Sequence, residues 1–329
     1  MAKTATARSR PPCAPKSARS VQGSRSIRVS DVIRGSGTQR LERALGDAAR
    51  RHFPRPVAEF GMFVLKQGWA SLFGGLLLAA IIVTKLFWNP DWPLQRYDAL
   101  FLFALATQAA FLWFRLETWE EVRVIVLFHL TGTAMELFKV DAASWAYPEP
   151  GLFKLLGVPL FSGFMYAAVG SYIARVIRIF DMRFAPYPPF GLTVLFAAAI
   201  YVNFFSHHFL PDIRLALFAA SLLLYARTRV WFRVSQARRW MPMPLAAFLA
   251  ALALWVAENV GTATGTWLYA GQRPGHPVSF AKIGSWYLLL YVAFLTVTLV
   301  SREALSRKAF TESHASTAPP EPEGARSAV

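Results

Sequence analysis

Three stretches of this chain, Trp69 to Trp88, Asp98 to Phe114 and Leu245 to Ala257, are apolar and largely uninterrupted. Runs of this length leave few folds open, because about 20 such residues are what a helix needs to cross a bilayer core. The composition agrees: 55% of the 329 residues are hydrophobic and only 16% are charged, a balance foreign to an ordinary soluble domain. The sequence therefore predicts an all-α, polytopic transmembrane helical bundle. Eight spans are read at about 69–88, 98–115, 120–140, 156–179, 190–206, 211–230, 245–266 and 284–301, with prolines punctuating the connections.

The net charge of +16 is unevenly spread. Thirteen Lys or Arg stand against four Asp or Glu in residues 1–60, and most of the remainder flank apolar runs. That is a topology signal and an anionic-lipid tether rather than a nucleic-acid footprint. Residues 1–55 read as a disordered basic tail and 306–329 as a second disordered tail, with the integral membrane domain between them at 56–305. The tail's Arg-rich, acid-poor composition also resembles an organellar presequence. Later inner segments hold more Lys and Arg than outer ones, which places both termini in the cytoplasm of a bacterial inner-membrane protein. Cys13 is the only cysteine, so no intrachain disulfide or cysteine metal cluster can form.

Inside this domain one pattern occurs twice. Glu136, Trp145 and Tyr147 recur as Glu258, Trp267 and Tyr269, each 122 positions later. Gly157 and Arg175 find further partners in Gly284 and Arg302 at 127. Four helices per unit is an even number, so the halves, about 60–183 and 184–305, enter the membrane in the same sense and form a parallel repeat. Glu136 follows Trp119 by 17 positions, ~25 Å along a helix, which puts both glutamates in the outer part of the membrane.

A carboxylate held there is costly, and a pair of them can act as general acid and base or carry a proton. The bland alternative makes each Glu interfacial, with Lys139 as a local ion partner, and makes Trp145, Tyr147, Trp267 and Tyr269 belt aromatics. Read functionally, the aromatics shape an apolar substrate pocket, with Asn203 and Asn259 as further substrate-binding candidates. His129 lies two turns before Glu136 on the same face and extends a proton path, although Ala251 stands at its place in the second repeat. His207 and His208 invite a metal reading, but their spacing matches no strong ligand motif, so neither a metal nor a cofactor is expected.

The run Glu136-Leu-Phe-Lys-Val-Asp-Ala-Ala-Ser-Trp-Ala-Tyr-Pro, then Leu156-Gly-Val-Pro-Leu, Asn203-Phe-Phe-Ser-His-His and Glu258-Asn-Val-Gly-Thr, resembles the bacterial YoaT-like family. These are integral membrane proteins with a domain of unknown function, and the resemblance runs from about 60 to 305. A fainter likeness, Glu followed by an aromatic-x-Tyr and Gly-Val-Pro, is similar to membrane carotenoid hydratases. It implies acid catalysis on a lipid-soluble polyene. Three functions remain open: a membrane-embedded acid/base enzyme, a proton-linked secondary transporter and a non-catalytic scaffold. Membrane lipids and an apolar small molecule are the expected partners, and nucleic acid is not.

Overall fold

The computed structural model describes residues 45, 48, 51–207, 209–235, 238–272, 276–300 and 302–306. Most of the two segments read as tails, together with Cys13 and His208, lies outside the described residues. The described residues are mostly helical: α1 Arg55–Ala70, α2 Leu72–Phe87, α3 Arg96–Trp113, α4 Trp119–Asp141, α5 Phe161–Ile179, α6 Phe190–Ser206, α7 Arg214–Tyr225, α8 Met243–Ala263 and α9 Ala281–Val300. Seven short strands join them: β1 Trp145–Ala146, β2 Lys154–Leu155, β3 Val158–Pro159, β4 Arg183–Ala185, β5 Arg229–Arg233, β6 Arg238–Pro242 and β7 Leu268–Tyr269.

Local chemistry sets the helix ends. Thr118 and Glu121 form a reciprocal capping box that starts α4, satisfying donors a bare helix end leaves open. Pro242 and Pro244 open α8, where a missing N–H costs little. At Ser71 the chain bends by 71° between α1 and α2, and the Ser71 hydroxyl donates to the Gln67 carbonyl at 2.8 Å.

Eight spans overcounts the helices that meet the requirement for crossing on their own. Among the described residues, α8 and α9 are long and apolar enough, and α1 with α2 qualifies only as a bent pair. Helices α6 and α7 are apolar but have 17 and 12 residues. Helices α3, α4 and α5 carry buried charged groups within their length: Asp98, Glu136 with Lys139, and Arg175. The span read at 211–230 stops at Tyr225 because the chain then enters a sheet that periodicity did not reveal. There β5 pairs with β4 (Arg183↔Trp231) and with β6 (Arg233↔Arg238), all antiparallel.

The helix order α2-α3-α4-β1-α5 recurs as α6-α7-α8-β7-α9. The 127-residue register does not hold. Gly157 sits at φ +85° between β2 and β3, whereas Gly284 lies inside α9 against Phe218. Helices α5 and α9 instead begin 120 positions apart, at Phe161 and Ala281.

Two apolar clusters lie toward opposite ends of α5. Tyr97, Leu100, Tyr147, Phe161 and Trp267 pack together at one end. Met62, Val176, Phe180, Phe232 and Val234 pack beside the sheet at the other. The largest cluster joins α4, α5, α6 and α9 between them.

Candidate functional site

Both glutamates owe their surroundings to the way their helices end. At the close of α4, Ala143 adopts φ +51°, its N–H reaches the Val140 carbonyl at 3.0 Å, and the Ser144 N–H reaches the Lys139 carbonyl at 2.9 Å. At the close of α8, Gly265 adopts φ +66°, its N–H reaches Thr262 at 3.0 Å, and the Thr266 N–H reaches Gly261 at 3.0 Å. This is the Schellman pattern, which satisfies the last carbonyls and turns the chain back on itself. Each Trp-x-Tyr segment is thereby returned to its own helix. The two segments, β1 and β7, then pair antiparallel with Trp145↔Tyr269 and Ala146↔Leu268. Ala146 and Leu268 are repeat mates, so a local twofold relation passes between them.

The returned aromatics donate to the carboxylates. Trp145 Nε1 and Tyr147 OH donate to Glu136 Oε2 at 2.6 and 2.9 Å, and Tyr166 OH, from α5, donates to Oε1 at 2.6 Å. Trp267 Nε1 and Tyr269 OH donate to Glu258 Oε1 at 3.0 and 2.8 Å, and Trp286 Nε1, from α9, donates to Oε2 at 2.6 Å. Both carboxylates are buried, with 2% and 7% exposure. Tyr147 and Trp267 are buried, and all four aromatics donate to a glutamate. Burial, then the adjacent carboxylate, pushes the Tyr147 and Tyr269 phenols well above their ordinary range, so both stay protonated donors.

Close approach depends on small residues. A Cβ at Gly261 would lie 1.8 Å from the Trp267 ring, and one at Gly132 would lie 2.5 Å from Tyr166. The cradles touch each other, the rings of Trp145 and Tyr269 meeting edge to face at 5.7 Å.

Glu136 and Glu258 line one cavity of ≈ 1110 Å³, which extends past Leu254, Ile173 and Phe294 to Phe184, Val230 and Phe232 of the sheet region. Trp145, Tyr147, Trp267, Tyr269, Asn203 and His207 line it too; His129 and Asn259 are not among the lining residues. Asn203 is committed to the turn before α7, donating to Asp212 and accepting from the Ile213 N–H, each at 3.1 Å. Asn259 accepts from the Val278 N–H at 2.8 Å and so ties the approach to α9. His129 faces α5, its ring tilted against that of Phe164 at 4.5 Å and crowding Gly163. His207 Nδ1 meets the Asn203 carbonyl at 3.0 Å. Among the described residues no group of three His, Cys, Asp or Glu converges on a metal position.

Tyr166 and Trp286 were missed by sequence reasoning. They are 120 positions apart, and the register set by Gly157 and Arg175 hides the match. A search for any aromatic N–H or O–H donor one turn into the following helix finds both.

Residues 59–294 match the family model described as "Protein of unknown function (DUF817)". The chain belongs to the DUF817 family. It is also 40% identical over 244 residues to "Uncharacterized protein YoaT" of Bacillus subtilis (strain 168), covering 74% of this chain and 92% of that relative. No solved structure matches the chain.

Proposed function

We propose that this DUF817 protein is a multi-pass protein of the bacterial cytoplasmic membrane, with both termini inside. In this reading Glu136 and Glu258 form an acid/base pair acting on an apolar, lipid-soluble substrate near the outer leaflet. The membrane part is supported by α8 and α9, and by apolar side chains left outside the bundle, such as Leu215 at 81% and Leu223 at 80% exposure. Apolar surface on that scale marks a lipid or partner interface. The shorter and charged helices then cross as members of a four-plus-four bundle, their polar groups turned inward.

The observation that carries the chemistry is the placement of two carboxylates in a mainly apolar cavity. Hydrogen-bond capacity divides their roles. An indole N–H can only donate, whereas a phenol can donate or accept. Three of the four carboxylate oxygens accept from an indole; Glu136 Oε1 is met by the Tyr166 hydroxyl. A proton therefore fits on Glu136 Oε1, with Glu258 ionised beside it. Glu136 would protonate one carbon of a double bond. The cation then lies on the other carbon, and Glu258 would take a proton from the carbon beyond it, shifting the double bond, or from a water that adds to the cationic carbon, while the aromatic faces stabilise the cation. A polyene suits this chemistry and the faint hydratase likeness.

The recurring helix order favours a second reading, a proton-linked secondary transporter whose halves rock about the glutamates. A non-catalytic scaffold is the third. Lipid and pigment analysis of a deletion strain carrying Glu136→Gln or Glu258→Gln separates them. The enzyme predicts loss of a lipid-soluble product and build-up of its precursor. An unchanged lipid profile with altered solute uptake overturns the enzyme in favour of transport; no change in either leaves only the scaffold.

A further inference from the structure

The cavity carries a second set of groups that acid/base chemistry leaves unused. Lys139 lies about one turn beyond Glu136 on α4, Lys282 one turn before Trp286 on α9, and Arg214 opens α7; all three line the cavity. The cations repel one another, Lys139 feeling Lys282 and Arg214, and Lys282 feeling Arg214. Asp212 offsets part of this by pairing with Arg214 at 3.1 Å, and Glu258 attracts Lys282. Both ammonium groups also rest on aromatic faces: Lys139 Nζ is 4.1 Å from the Phe204 ring and 2.9 Å from that residue's carbonyl, and Lys282 Nζ is 3.9 Å from the Tyr269 ring. Cations gathered where low-dielectric walls focus their field make a site for an anion.

Beyond these groups the lining turns apolar. Met243 and Glu258 both line the cavity, 15 residues apart on α8, which is ~22 Å at the helical rise. That is roughly three quarters of a ~30 Å hydrocarbon core, a length that takes one extended lipid chain rather than a compact solute.

We propose that this cavity binds a single-chain lipid with an anionic head, a phosphate monoester above all, seated among Lys139, Lys282 and Arg214 with its chain directed toward the sheet. The inference rests on the acid/base reading in one respect: with the head at the lysines, the first carbons of the chain fall beside Glu136 and Glu258.

The test uses the full chain in nanodiscs of zwitterionic lipid, with hexadecyl phosphate, hexadecanol and inorganic phosphate as probes. Hexadecyl phosphate is expected to bind at least about tenfold more tightly than hexadecanol, and inorganic phosphate to compete only weakly. Lys282→Met should remove that preference and Lys282→Arg should keep it. Equal binding of phosphate ester and alcohol by the unaltered protein overturns the proposal, and so does inorganic phosphate competing as well as the ester. Glu136→Gln should retain the preference. A retained preference beside an unchanged lipid profile sinks the acid/base reading and leaves the binding site standing. A lost product without any head-group preference does the reverse.

Discussion

The two carboxylate cradles agree where the backbone forms them and differ where the neighbouring helix completes them. Glu136 and Glu258 each sit nine residues before a Trp and eleven before a Tyr, behind the same helix-ending turn, and each receives both aromatics. The third donor differs: a phenol on α5 for Glu136, an indole on α9 for Glu258. Away from the cradles the halves diverge further. Arg175 is fully buried against Glu117 at 3.1 Å, whereas the matching position 120 residues on is the apolar Leu295, and the arginine that follows α9, Arg302, is exposed and lies 3.9 Å over the Phe190 ring. Symmetry has been kept around the carboxylates and relaxed elsewhere, which is the distribution expected if the carboxylates do the work.

The largest expected effect tests whether the two glutamates are chemically distinct. Glu136→Gln can turn its amide NH₂ toward the Tyr166 hydroxyl, which can accept, so the fold should survive. Product formation should fall ~10²–10⁴-fold, the usual contribution of a general acid. In Glu258→Gln the NH₂ must face an indole N–H in either orientation, because Trp267 and Trp286 occupy different oxygens. That variant should also lose ~1–3 kcal/mol of stability through the unsatisfied donors. Thermal unfolding in detergent beside product analysis checks both, and equal stability losses would break the assigned asymmetry.

Next comes the end of the bundle nearer the sheet. Glu117→Ala strands Arg175 without its partner and should cost ~3–5 kcal/mol, as breaking buried pairs does. Arg302→Ala removes an exposed cation–π contact and should cost only ~0.5–1 kcal/mol. Comparable losses for the two would mean that the halves are tied together at this end in a way the contacts do not convey.

Helices and the paired glutamates were legible in the sequence because both leave marks at fixed spacing: apolar runs, and three uncommon residues repeated at one offset. The number of spans was not. Runs in α4 and α5 read as spans although they hold Glu136, Lys139 and Arg175, which the bundle buries, and α6 and α7 read as spans although they have only 17 and 12 residues. The sheet escaped because β5 carries an arginine at each end and buries only Val230 and Phe232, while β6 opens on Arg238 and Arg239 and buries none of its residues. A strand in that position looks like a cytoplasmic loop. The role of the aromatics was blurred by a competing explanation, since Trp and Tyr also mark membrane interfaces. What decides between the two is the turn at Ala143 and Gly265, and only Gly265 announces it by residue type.

A smaller effect probes the third donor directly. Trp286→Phe deprives Glu258 Oε2 of the indole it accepts from, and the loss of a hydrogen bond to a charged acceptor is worth ~1.5–3 kcal/mol. Tyr166→Phe removes a contact to an oxygen that carries the proton in the proposed scheme, so the neutral value of ~0.5–1.5 kcal/mol applies. The ratio of the two losses reads out which glutamate is ionised, and a reversed ratio would exchange acid and base.

The smallest expected effect concerns the turns that create the cradles. Both Ala143 and Gly265 occupy the left-handed region, where an L-residue with a Cβ meets a penalty of ~1–2 kcal/mol that glycine escapes. Ala143→Gly relieves this strain but gives the unfolded chain more freedom, worth ~0.4–1 kcal/mol in the opposite sense. The net should be a gain of up to ~1 kcal/mol. Gly265→Ala reverses both terms and should lose a similar amount. Opposite signs at matched positions would show that the first half carries backbone strain at its site where the second does not. If Ala143→Gly stabilises the fold yet lowers product formation, the strained turn is holding Trp145 and Tyr147 on Glu136 more firmly than a relaxed one can. If activity is unmoved, the turn only has to form, and the hydrogen bonds themselves fix the cradle.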